Sequence, residues 1–510
     1  MAENETSQNL GEAPGVAQRA YPHPDRGEPK GREYPPEQSE NAIVLRARES
    51  RVQGEGRSDY QTSSGPMVRH QRGATMSPPL DDIAYRAKDQ PHARFTALAH
   101  HLTAEFLEET WQHLNQHGAP GLSGETMAAY DRVRGPRIRA LVDTLKAHAY
   151  RVPPVRRVYI PKAGQPQKLR PLGIPEVEDR LLQAAVNRLL QPIYEADFVD
   201  GSYGFRPGRS PHDALTALNT TMMTRPMQWV FEADIRGFFD HLQHTWLMTM
   251  LAERMGDPGL LRLIEKGLHA PIVEPDGSRS RPTEGTPQGG PLSPLLGNVY
   301  LHYALDLWFE KAVQPTGRGE AQLIRFADDF VVLFAREDDA QRFATALPPR
   351  LAKFGLALAP EKTRLIPFGW GAWRAAEDRG ERSERFDFLG FTHFGARSRT
   401  GRGILQRRPT AKSRHKFLLR VKSELHRLMH TGVLAQQRYL QQALRGFYGY
   451  FGYPGCSPAL EAIRYQVSYA WYQVLRRRSQ RSHQTKSWYF SQRWFGLPYV
   501  KLRPRHATAR

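Results

Sequence analysis

The chain has 510 residues, and its 72 Lys and Arg against 52 Asp and Glu leave a formal charge of +20. So large a cationic excess points to a polyanionic partner, nucleic acid first, and away from a basic surface kept only for solubility. The single cysteine, Cys456, excludes an intramolecular disulfide and any multi-cysteine zinc site. No apolar run approaches the ~20 residues that cross a bilayer, so no membrane partner and a cytoplasmic location are expected.

Residues 1–85 are rich in Gly, Pro, Glu, Gln, Arg and Ser with few clustered apolar residues, and are expected to be a disordered tail. Helical spacing begins at Ala93 and runs through Phe106, Leu107, Trp111 and Leu114 to a turn at Ala119-Pro120-Gly121. Tyr159 to Gly173 reads as a hairpin in which Lys162 and Arg170 flank a turn containing Gly164, a shape suited to clasping a triphosphate or simply to exposing two cations. Arg180–Leu190 is an amphipathic helix. Gln228–Asp240 is an apolar strand that delivers Asp234 at its end and turns at Gly237; Gly285–Leu301 is a Gly/Pro-rich loop opening an apolar helix. Leu323–Phe334 reads as strand, tight turn, strand, with Asp328-Asp329 at the tip. Gly369–Arg385 is expected to be a surface loop, Phe386–Phe394 a strand, and Arg397–Gly403 a basic turn. Three helices close the chain, from Lys412 to about 430, Gln436 to about 451 and Ala459 to about 478. Their aromatics are expected mostly in packing, and the run Arg476-Arg477-Arg478 with Arg481 is the expected RNA contact.

Adjacent carboxylates at a turn repel one another, and bound cations offset that repulsion directly. On its own the Asp328-Asp329 tip could equally be a solvated turn. With Asp234 at a neighbouring strand end, three carboxylates suffice to hold two Mg²⁺ roughly 3.5–4 Å apart, the arrangement that activates a hydroxyl and stabilises a leaving pyrophosphate.

Taken in order, the Asp234 segment, Thr286-Pro287-Gln288-Gly289, Phe326-Ala327-Asp328-Asp329, Pro360-Glu361-Lys362-Thr363 and Phe388-Leu389-Gly390-Phe391 resemble the palm blocks of the reverse transcriptases encoded in group II introns, the intron maturases. Tyr159-Ile160-Pro161-Lys162, Leu169 to Pro175 and Tyr203-Gly204-Phe205-Arg206-Pro207-Gly208 are similar to their finger blocks, so the resemblance covers about residues 90 to 500. Two positions depart from the family: Phe326 stands where Tyr is usual, and Ser123 where Asp is usual.

The resemblance implies an α+β right-hand polymerase fold, with fingers and palm over 86–368, a connecting loop and primer-gripping strand over 369–400, and a helical thumb or maturase region over 401–510. It implies an RNA-directed DNA polymerase in which Asp234, Asp328, Asp329 and the backbone carbonyl of Ile235 ligate two Mg²⁺. Lys162 and Arg170 would contact the incoming dNTP phosphates, Gln288 would lie near its sugar or 3′ side, and Phe239 would reject a 2′-hydroxyl or else be a core phenylalanine. The implied partners are intron RNA, an RNA template with a DNA primer, dNTPs and target DNA, in a bacterial cytoplasm or nucleoid, as a monomer or a homodimer. With the chain ending at Arg510, the Cys- and His-rich endonuclease of longer members is not expected, and priming would come from a nascent strand or another nick. Two alternatives stay open: a non-catalytic RNA-binding splicing factor, and a reverse transcriptase domesticated for host defence or repair.

Overall fold

The computed structural model describes residues 78–162, 165–287, 289–398, 400–478, 485–492 and 495–502. The expected tail lies outside them up to residue 77. Regular structure begins earlier than the sequence suggests, in a helix over Pro78–Asp89, because Leu80, Ile83 and Ala87 form a buried stripe packed on the Val177–Glu195 helix. The expected helix over Ala93–Leu102 is instead irregular, with a single bridge from Phe95 to Met255 and a 3-10 turn at Ala99–His101. The amides of Leu98 and Ala99 are held by the Asp257 carboxylate at 2.7 and 2.8 Å, which takes them out of any helical ladder. The helix proper is Ala104–His113, capped by Thr103 Oγ1 accepting from the Phe106 amide.

Three sheets follow. β1 (Val155–Lys162) and β2 (Gln165–Ile174) form a hairpin extended by β4 (Ile272–Val273) and β5 (Arg279–Ser280) in the order β2-β1-β4-β5. The central sheet has the order β6-β7-β3-β8, all antiparallel, from β3 (Trp229–Asp234), β6 (Ala321–Phe326), β7 (Asp329–Phe334) and β8 (Arg364–Pro367). The third sheet pairs β9 (Arg385–Phe388), β10 (Phe391–Arg397) and β11 (Gly403–Pro409).

Both faces of the central sheet are covered, which is why β7 is a continuous apolar run rather than an alternating one. Val331 and Leu333 join Leu215 and Leu218 of the Pro211–Thr224 helix, while Phe334 and Phe231 meet the Phe343 ring of the Glu337–Ala352 helix. Each fully buried side chain from Phe330 to Phe334 contributes on the order of 1.5–3 kcal/mol, enough to tolerate two acids at the tip of the same hairpin.

The expected loop over Gly369–Arg385 contains a helix, Trp370–Asp378. Trp373 and Ala376, three residues apart, turn into the protein, where the Trp373 indole lies on Gly395 of β10, at a spot a Cβ would fill. Beyond β11 the chain forms three helices, Ala411–Arg427, Val433–Phe451 and Ser457–Arg477. Buried Gln436 clasps them, accepting from Trp471 Nε1 at 2.9 Å and donating to the Leu428 carbonyl at 2.8 Å. Tyr450 of this bundle donates to the Leu389 carbonyl, and its own carbonyl meets His212 Nε2, so the bundle is bonded to the central region. Among the described residues, no helix is long and apolar enough to cross a membrane.

Candidate active site

The central sheet brings the three sequence-predicted acids together at one end of its two interior strands, β3 and β7. β3 pairs β7 with Asp234 directly opposite Asp329, and Asp328 occupies the preceding turn after Ala327, whose φ is +57°. Asp328 and Asp329 are half-buried. Burial, then the charge of Asp234, holds the Asp328 carboxyl above its ordinary value against the nearby Arg170 and Lys362 cations. Burial, then Asp328 and Asp234, holds Asp329 well above its own, although the Leu389 amide donates to it. The Lys362 ammonium lies 2.5 Å from Asp234 Oδ2. Burial opposes that charge, but the hydrogen bond and attraction of Asp234, reinforced by Asp329 and Asp328, hold Lys362 above its ordinary value.

Three hard oxygen donors that repel one another at neighbouring strand ends have the chemistry that binds Mg²⁺. Among the described residues they do not close into a ready-made cage. Asp234 is engaged by Lys362 and Asp329 by Leu389, so a cation here would compete with those contacts. Ile235 continues the chain beyond Asp234 and bridges Leu358. The bonds Ala359 N to Asp234 O and Arg236 N to Ala357 O flank it, so its own carbonyl points away from that segment, to the side of β3 that carries β7. A fourth acid, Glu232, is occupied elsewhere, by Arg364 Nη2 at 2.6 Å and the Asp387 amide at 3.1 Å.

The turn is held from beneath by Arg325, which is fully buried. Its guanidinium pairs with Asp306 through both nitrogens Nε and Nη2, at 2.8 and 2.5 Å. It also donates to Asn298 Oδ1, Ser202 Oγ and the carbonyl of Ala327, the left-handed residue of the turn. All five N–H groups of the side chain are thereby used. Asn298 in turn donates to the Gly204 carbonyl at 2.6 Å, and Gly204 lies so close on the hairpin that a Cβ would stand 2.9 Å from the Phe326 carbonyl carbon. Asp306 lies in a π-helical stretch, His302–Asp306, continuing the Ser293–Leu301 helix.

Of the other predicted residues, Arg170 is exposed on β2 opposite Ile160, and its charge acts on both Asp328 and Lys416 of the Ala411–Arg427 helix. Phe239 is half-buried, 5.0 Å from the Phe238 ring and backed by Gly297, where a Cβ would stand 2.9 Å from its Cε1. The Gly-rich loop docks beside it: Thr286 N donates to the Phe239 carbonyl and Gly285 N to that of Leu242. Gln288, Arg481 and the side chain of Lys162 lie outside the described residues. Arg476 and Arg477 are exposed at the C-terminal end of the Ser457–Arg477 helix, with Arg478 half-buried as its C-cap. Of the bundle aromatics expected in packing, Phe447, Tyr448, Trp471 and Tyr472 are buried, whereas Tyr465 and Tyr469 are exposed beside Lys486.

Sequence reasoning missed the Arg325 network and the left-handed Phe205. The one available signal for the network was a lone Arg inside an apolar strand and a lone Asp inside an apolar helix.

The reverse transcriptase (RNA-dependent DNA polymerase) family matches residues 160–393, the stretch that carries all three acids. Protein YkfC of Escherichia coli is 34% identical over 284 residues, covering 49% of this chain and 74% of that protein. The group II intron-encoded protein LtrA of Lactococcus lactis is 36% identical over 224 residues, 44% of this chain. The chain belongs to the group II intron reverse transcriptase/maturase family. Among its relatives is also the nuclear intron maturase 1 of Arabidopsis thaliana, 31% identical over 94 residues, 18% of this chain and 13% of that one. The alignment with LtrA spans only 37% of LtrA's length, so the chain matches little more than a third of that relative.

Proposed function

We propose that the chain is an RNA-directed DNA polymerase that also binds a structured intron RNA. The observation that carries this reading is the convergence of Asp234, Asp328 and Asp329 at one end of the interior strands β3 and β7, with like-charge repulsion that a divalent cation relieves. Asp234, Asp328, Asp329 and the Ile235 carbonyl would hold two Mg²⁺, which when bound lower the pKa of a primer 3′-hydroxyl and neutralise the triphosphate. Arg170, beside Asp328, would orient the triphosphate, with Lys162 joining it from the same hairpin and Gln288 meeting the sugar. Phe239 would close the pocket at C2′ and reject ribonucleotides. Lys362 would keep Asp234 paired until the cation arrives. The turn at Leu389 and Gly390, between β9 and β10, whose Leu389 amide acts on Asp329, would grip the primer terminus.

Exposed Arg476 and Arg477, with Arg478 and Arg481, would contact RNA phosphates, and the same surface would assist splicing and retrohoming into target DNA. Primer extension on an RNA template with Mg²⁺ and dNTPs tests the reading. Template-dependent incorporation is expected. No incorporation, together with tight and salt-sensitive RNA binding, would leave a non-catalytic splicing factor.

A further inference from the structure

Phe205 is a bulky residue in the left-handed backbone region, with φ +58°, where side chains bearing a Cβ are disfavoured. Its neighbours hold it there. On one side Tyr203 N donates to the Arg325 carbonyl and the Gly204 carbonyl accepts from Asn298. On the other, the Arg206 guanidinium donates to the carbonyls of Val199 and Ser202, at 2.7 and 2.9 Å, and to Glu195. With both flanks pinned, the backbone aims the Phe205 side chain at the candidate site.

There its ring lies edge-on to Phe239, with centroids 6.2 Å apart and planes at 66°. It also lies 6.4 Å from the ring of Phe326, the residue two positions before Asp328. Both separations fall in the range over which aromatic pairs attract. Phe326 is buried, whereas Phe205 stays 37% exposed and is the outermost of the three rings. Phe239 is thus bounded by Phe238, by Gly297 and by the more exposed ring of Phe205.

A glycine would adopt this φ without strain. A strained phenylalanine whose ring stands half in solvent adds little to the core, so its placement is explained by what the ring limits. We infer that Phe205 is a positioning residue for Phe239: it stops that ring from swinging outward, and so fixes the clearance at C2′ of the incoming nucleotide. The inference rests on the polymerase reading and deepens it. Phe205 acts on sugar selection through Phe239, not on the chemical step.

The test is single-nucleotide incorporation on a primed RNA template by the full chain, scored as the ratio of kcat/KM for dNTP to that for the matching rNTP. A ratio cancels any general loss of activity. Phe205→Gly suits the backbone, so it folds, which a thermal melt verifies; Phe205→Leu retains part of the bulk. Phe239→Ala is expected to remove most discrimination. Phe205→Gly is expected to lower the ratio about tenfold, within the range available to hydrophobic pocket contacts. Phe205→Leu should fall between Phe205→Gly and the parent, and the double variant should be no worse than Phe239→Ala alone. A relaxed Phe239→Ala with an unchanged Phe205→Gly overturns this inference and leaves the polymerase reading intact. Additive effects in the double variant overturn it as well, because Phe205 would then act independently of Phe239. An unchanged ratio in Phe239→Ala removes the gate and the inference together, and no dNTP incorporation by the parent removes the polymerase reading itself.

Discussion

Replacing Arg325 with methionine leaves the Asp306 carboxylate charged and buried with no counter-ion, because the pair it breaks is fully enclosed on both sides. Breaking a buried pair by removing one partner costs about 3–5 kcal/mol. The variant also strips donors from Asn298, Ser202 and the Ala327 carbonyl, each bond worth about 1 kcal/mol net and not simply additive. The upper end of the range is therefore expected, and with it a drop in melting temperature of roughly 10 °C. Replacing both partners, as Arg325→Met with Asp306→Leu, removes the stranded charge and should recover most of the stability, since apolar substitutes for a buried pair are often neutral. It should not recover polymerase activity, because the left-handed Ala327 still lacks the donor that fixes the turn before Asp328. Thermal and urea unfolding followed by circular dichroism gives the first quantity, and primer extension at saturating Mg²⁺ the second. If the double variant extends primers as fast as the parent, Arg325 holds the fold and not the acids, and the reasoning is refuted.

Three further outcomes follow from the same geometry. Asp329 has a raised carboxyl pKa, so its contribution to stability is present at acid pH and is lost as pH rises through the raised value. Asp329→Asn should therefore melt higher than the metal-free parent at pH 7 and close to it at about pH 4, a gap that differential scanning calorimetry reads; a constant gap at both pH values contradicts the assignment. Gly204→Ala forces a Cβ against the backbone of Phe326 and Ala327, with no flexible group to yield. It should cost about 1–3 kcal/mol and most of the incorporation rate, with RNA affinity unchanged in a filter-binding assay. Lys362→Met frees Asp234 from a half-exposed pair worth at most about 1 kcal/mol. Mn²⁺ should then bind the variant up to roughly fivefold more tightly by electron paramagnetic resonance titration, and weaker binding would mean that Lys362 does not compete for Asp234.

The central sheet was legible because its signals are local. β3 and β7 are apolar runs that each meet an acid at one end, and the turn between β6 and β7 is set by the same short stretch that carries Asp328 and Asp329. The helical bundle was legible for the same reason, its apolar residues recurring at helical spacing. The Trp370–Asp378 helix was not, since only Trp373 and Ala376 of its nine residues are buried, and Gly369, Gly371 and Gly380 around them read as loop. Nor could spacing reveal that Arg325 meets Ser202, 123 residues away, or Asn298, 27 away. The left-handed Phe205 is likewise a product of distant anchors, where a sequence rule would have placed glycine.

The most direct test of the account is Mg²⁺-dependent incorporation of dNTPs on a primed RNA template by the parent protein and by Asp328→Ala, with RNA affinity measured for both. Template-directed extension by the parent, its loss in the variant, and nearly equal RNA affinity are expected. Extension that survives Asp328→Ala would contradict this, because the site assigned to the hairpin tip would then not be where the chemistry occurs.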